Sequence, residues 1–237
     1  MNESVLVIAA HPDDEVLGCG GTIAQHATNG DTVNVVILAE GLTSRNAGDD
    51  RVSHETKLAE LGKVAQRANR ILKVNELVLH GYPDNRMDSI PRLDVIKTVE
   101  GFIEKFQPSI VYTHHAGDVN IDHRCAHDAV VTVCRPMPGH QKVAELLFFE
   151  VASSTEWQPA GSKTPFVPNW YVDISDTLAL KLKALRIYAF EMRDWPHARS
   201  VQALEHLARW RGANIGVDAA EAFILGRKIR LQKGKGK

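Results

Sequence analysis

Short apolar runs rich in Val, Ile and Leu recur along the first two-thirds of the chain, and each is followed by a longer stretch with helical patterning. Residues 5–10, 32–39, 76–80 and 109–113 read as strands. Residues 16–28, the Ala- and Lys-rich 53–68, 91–106 and 122–134 read as helices, with Asn29-Gly30 closing the first and Ser53 capping the second. Strands that are apolar at nearly every position suit a sheet covered on both faces. The alternation predicts an α/β fold, a Rossmann-like, mostly parallel sheet with helices on both faces. After Pro136 the pattern changes. Strands are expected at 145–151, 170–174 and 219–224. Helices are expected from a cap at Asp176 to about residue 190, and over 198–210. Residues 153–169, rich in Ser, Pro and Gly, read as a loop over one end of the sheet. The chain is therefore expected to be one domain: a core over 1–135, a C-terminal β/α elaboration over 136–226 and a flexible basic tail over 227–237.

A chain of 237 residues with 44% hydrophobic residues can bury a sizeable core. The net charge of −1 gives no reason to expect nucleic acid or an anionic membrane surface as a partner. Three cysteines without a C-x-x-C pair suit a reducing compartment. No signal peptide and no membrane span are readable, so the cytoplasm is the expected location. A homo-oligomer is allowed, with the 153–169 loop as a contact.

Chemistry gathers where two strands end. The first empties into Ala10-His11-Pro12-Asp13-Asp14-Glu15. Open α/β sheets build their sites at such carboxyl ends. A histidine and a carboxylate can hold a divalent metal, and a second carboxylate beside them can take a proton from water. The strand at 109–113 runs into His114-His115-Ala116-Gly117-Asp118-Val119-Asn120-Ile121-Asp122-His123. His11, Asp14 and His123 together would make a two-histidine, one-carboxylate set with room for water. That is the donor pattern of catalytic zinc, and it would also accept iron, cobalt or nickel.

Ala-His-Pro-Asp-Asp-Glu followed at a distance by Asn-x-Asp-His resembles the PIG-L/LmbE-like zinc-dependent N-deacetylases. The resemblance continues through Gly18-Cys19-Gly20-Gly21, Glu40-Gly41, Pro83-Asp84-Asn85-Arg86 and Trp195-Pro196-His197-Ala198-Arg199-Ser200. It implies that His11, Asp14 and His123 hold one zinc ion and that Asp13 is the general base. It also implies a small N-acetylated substrate, a glucosamine-type sugar or sugar conjugate. Many members carry a histidine three residues before the last ligand, oriented by the counterpart of Asp122. This chain has Asn120 there, which can donate to an oxyanion but cannot act as an acid. Asn120 and Asp122 stay in the expected catalytic set. His114, His115 or His197 could fill the gap, with His115 and His197 favoured. Arg45, Asp84, Asn85, His115, His197 and Arg199 form the expected substrate rim, and Trp195 reads as a packing corner, with stacking on a sugar face as its alternative.

Three other readings compete. One is an amidase for another N-acyl conjugate of an antibiotic or thiol pathway. Another is a carbohydrate-binding protein that kept the fold without the chemistry, which only Asn120 favours. A dinucleotide site is disfavoured, because Ile23 stands where the third glycine of G-x-G-x-x-G belongs and acidic residues precede the glycines.

Overall fold

The computed structural model describes residues 2–42, 51–138 and 143–230, the side chains of 51–54 excepted. Its strands form one sheet: β1 (Ser4–Ala9), β2 (Thr32–Ala39), β3 (Glu76–Tyr82), β4 (Ile110–His114), β5 (Glu145–Phe149), β6 (Trp170–Asp173) and β7 (Ala220–Lys228). The order is β3-β2-β1-β4-β5-β7-β6. Strands β1 to β5 pair in parallel, and β7 is antiparallel to both β5 and β6. The sequence order reverses between β1 and β4, so a crevice opens past the ends of those two strands.

Helices α1 (Asp14–Thr28), α2 (Arg51–Ile71), α5 (Leu178–Ile187) and α6 (Val201–Ala213) pack on one face, against Val5, Val7, Val33 and Val35. Helices α3 (Arg92–Phe106) and α4 (Ile121–Val133) cover the other face, against Leu6, Ile8, Val36 and Leu38. Successive strand residues point to opposite faces, so the unbroken apolar runs are what two separate helical layers require.

Several boundaries move from expectation. Helix α2 begins at Arg51, which puts Ser53 inside it. Thr177, not Asp176, precedes α5, and α6 starts at Val201, where the Ser200 hydroxyl accepts from the Ala203 N–H. β7 continues to Lys228, whose ammonium pairs with Glu145, so the basic segment starts as strand. Residues 231–237 lie outside the described residues. Trp195 is 55% exposed and meets His206 at its ring, so it is no packing corner.

Helix α1 is kinked at Cys19, where φ is −147°. Gly18 and Gly21 allow the kinked helix to lie close to the sheet: a Cβ on Gly18 would come 2.3 Å from Phe149, and one on Gly21 would come 2.7 Å from Ile174. The kink frees backbone groups that need partners. The Glu221 carboxylate accepts the Gly21 and Thr22 N–H groups, and the Lys181 ammonium donates to the Leu17 carbonyl. Lys181 and Glu221 also pair directly at 2.5 Å, and both are buried.

Candidate active site

The turn after β1 carries His11 and Asp13, Asp14 opens α1, and the loop after β4 leads to His123 in the first turn of α4. Because β1 and β4 are neighbours, these groups meet. Donor atoms of His11, Asp14 and His123 all lie within 4.8 Å of one another. Asp14 Oδ2 is 3.3 Å from His11 Nδ1 and 3.2 Å from His123 Nε2. Ligand bonds of about 2.05 Å at tetrahedral angles separate neighbouring donors by roughly 3.3 Å. Both Asp14 distances match that edge, so these three residues would suit a small divalent ion.

Carboxylates behind the donors aim them. His11 Nε2 faces Asp122 Oδ2 at 3.0 Å and Asp84 Oδ1 at 3.1 Å, which leaves Nδ1 for the site. Asp118 Oδ1 lies 3.2 Å from His123 Nδ1 and leaves Nε2 for the site. Burial disfavours a charged His123, yet the Asp14 charge and the Asp118 contact raise its pKa to about 9. Burial likewise opposes charge on His11, and Asp122, Asp14 and Asp84 outweigh it, lifting His11 well above its usual value. Burial would raise Asp14, but the His123 charge and both imidazole contacts hold it well below the carboxylate range. These shifts mark a field that favours positive charge at the two imidazoles, and a metal held there would compete with protons for them.

Asp13 is the residue before α1 and has φ 114°, in the left-handed region. Its N–H donates to Glu15 Oε2, while Glu15 Oε1 accepts from the Tyr188 hydroxyl and the Asn69 amide. This buried carboxylate holds the unusual backbone in place. Asp13 Oδ2 pairs with the Arg199 guanidinium at 3.0 Å. Burial pushes the Asp13 carboxyl well above its usual value, and Arg199 opposes that shift.

A cavity of about 310 Å³ holds His11, Asp13, Asp14 and His123, with Asn85, Asn120, Ser153 and Arg199 among its polar walls. Asn120 caps α4: its Oδ1 accepts from the Asp122 N–H, and its Nδ2 donates to Asn85 Oδ1. Asp84 and Asp122 are buried at 2% and 0% exposure. Asp84 meets His11 from behind, and Asp122 orients His11 while accepting the Asn85 and Met87 N–H groups. Arg199 donates to Asp13 and to Ser153, so its guanidinium is engaged within the protein rather than left open to the cavity alone.

His115 and His197 do not line the cavity. His115 donates to the Thr164 carbonyl beneath the 153–169 loop. His197 Nδ1 accepts from the Arg199 N–H. His114 is buried behind His123, stacked at 4.0 Å, with Nε2 accepting from the Ala10 N–H. None of the three replaces the missing histidine at position 120, and Arg45 lies outside the described residues. Sequence reading gave no role to Asp118, Glu15 or Trp157. The only cue to Asp118 was the density of Asp and His after β4.

Residues 6–134 match the family described as PIG-L: GlcNAc-PI de-N-acetylase. The uncharacterized deacetylase YaiS of Escherichia coli (strain K12) is 28% identical over 78% of this chain and 89% of its own length. Diacetylchitobiose deacetylase of Thermococcus kodakarensis is 29% identical over 78% of this chain and 69% of its own. Among solved structures, GalB, the 4-carboxy-2-hydroxymuconate hydratase of Pseudomonas putida KT2440, is similar with a TM-score of 0.76 at 21% identity, covering 99% of this chain and 100% of that one. The fold thus serves more than one chemistry, and activity has to be argued from the site. The family match spans more than half of the sequence and includes His11, Asp13, Asp14 and His123, so this chain belongs to the PIG-L deacetylase family.

Proposed function

We propose that this protein is a zinc-dependent N-deacetylase that hydrolyses the acetamido group of an N-acetylglucosamine-type sugar or sugar conjugate to acetate and a free amine. The observation that carries this reading is the approach of His11 and His123 to one Asp14 oxygen, at 3.3 and 3.2 Å, in a polar cavity that Asp13 shares. Held by these donors, zinc supplies Lewis acidity toward the acetyl oxygen and lowers the pKa of water.

The protein's own groups do the rest. Arg199 occupies Asp13 Oδ2, so Asp13 takes the proton from the attacking water at Oδ1 and delivers it to the departing nitrogen. With no histidine at position 120, Asp13 carries both transfers. Asn120 Nδ2 can polarise the acetyl oxygen by exchanging its Asn85 partner for substrate. The asparagines on the wall suit sugar hydroxyls.

The test is acetate release from N-acetylglucosamine and diacetylchitobiose. Chelator-treated protein is expected to release none, and stoichiometric zinc to restore release. Release that survives thorough metal removal would sink the reading.

Asp118 accepts from Ser154, Thr155 and the Asn120 N–H while facing His123. Loss of such a carboxylate behind a metal-bound histidine typically weakens metal affinity about 10- to 100-fold. Asp118→Ala should weaken zinc by that factor in a chelator competition. An unchanged affinity would remove Asp118 from the site.

A further inference from the structure

Trp157 is 55% exposed, yet it lines the cavity whose floor carries His11, Asp14 and His123. Exposed aromatic residues scattered over a surface need no explanation. This one is set apart by its position, since neither of the other exposed tryptophans, Trp195 and Trp210, lines that cavity.

The residues before it are tied down. The Ser154 and Thr155 hydroxyls donate to Asp118, and Arg199 donates to Ser153. Glu156 accepts the Ser153 and Ser154 N–H groups, closing a tight turn just ahead of the indole. The Trp157 and His197 rings meet at 78° with centroids 5.7 Å apart, a contact on one edge of the indole that leaves over half of the residue open. The backbone that carries the indole is therefore anchored before a ligand arrives, which lowers the ordering cost of binding.

We propose that Trp157 stacks on the apolar C–H face of a pyranose ring and so makes the cavity select ring-bearing N-acetyl substrates over small acyclic acetamides. This rests on the deacetylase reading above. The C–H groups of a sugar face carry slight positive charge, which complements the negative face of the indole. Hydroxyls at the ring edge are left free for Asn85, Asn120 and Ser153. His197, expected at the rim, acts here through the tryptophan.

The experiment uses zinc-loaded protein throughout. Trp157→Ala should raise KM for diacetylchitobiose about three- to tenfold with kcat within about twofold, and Trp157→Phe should restore most of the loss. In the Asp13→Asn background, diacetylchitobiose should quench tryptophan fluorescence and N-methylacetamide should not. Adding Trp210→Phe should keep that quench, and adding Trp157→Phe should abolish it. An unchanged KM in Trp157→Ala, a fall in kcat at constant KM, or a quench that survives without Trp157 would each overturn the proposal. If the wild-type protein released no acetate from any sugar, the deacetylase reading would fail by itself. The fluorescence titration would still decide stacking: quenching through Trp157 supports it, and no quenching overturns it.

Discussion

Asp13→Asn should lower kcat for acetate release by about 10³-fold while leaving bound zinc and thermal stability close to wild type. The two side chains have the same shape, and asparagine tolerates the φ of 114° at this position. The backbone anchor is unaffected, because it runs from the Asp13 N–H to Glu15 Oε2. Arg199 Nη1 keeps an oxygen partner and loses only the opposing charge. What disappears is a group that can take a proton, so kcat should fall much more than KM changes. Asp14→Asn provides the contrast: it weakens a donor and should lose metal along with activity. Steady-state kinetics beside metal analysis separate the two. An Asp13→Asn enzyme within tenfold of wild type would show that the base lies elsewhere.

The largest stability effect should come from Lys181→Ala, far from the proposed chemistry. Lys181 and Glu221 are each 4% exposed and pair across the α1 kink. Removing one partner of a buried pair typically costs about 3–5 kcal/mol, because the other charge stays in a poor solvent. For a chain of this length that lowers Tm by about 10 °C. The Leu17 carbonyl would also lose its donor. Pairing Lys181→Met with Glu221→Gln should recover part of the loss, since no charge is then stranded. A shift below about 3 °C in Lys181→Ala would mean that water reaches Glu221 without difficulty.

The two variants probe different levels of legibility. The place of Asp13 was readable because it is local: a buried strand ending in His-Pro-Asp-Asp-Glu puts its polar groups at one sheet edge, whatever the rest of the chain does, while the choice of Asp13 over Asp14 as base rested on the family resemblance. The candidate donors His11, Asp14 and His123 followed from the same logic applied to β1 and β4. Lys181 and Glu221 carried no such cue, lying 40 residues apart in α5 and β7. Only the kink at Cys19, set by tight contacts with Phe149 and Ile174, creates the unpaired groups that they satisfy.

The substrate rim shows the boundary most clearly. Asp84, Asn85, Arg199, His115 and His197 all follow elements that lead toward one end of the sheet, and sequence alone offered them as equals. Side-chain direction separates them. Asp84 turns under His11, Arg199 is drawn to Asp13, and His115 is drawn beneath the 153–169 loop, where a Cβ on Gly117 would come 1.9 Å from the Thr164 oxygen.

The sequence by itself determined the parallel sheet, the two helical layers and the gathering of His11, Asp14 and His123 at the β1 and β4 ends, because periodicity and motif spacing are short-range properties of the backbone. Only the tertiary structure decided which carboxylates stand behind which histidines, that Arg199 faces the base, and that Trp157 rather than Trp195 reaches the cavity. Those outcomes depend on pairs of residues brought together from distant parts of the chain, where burial and charge choose each side chain's partner.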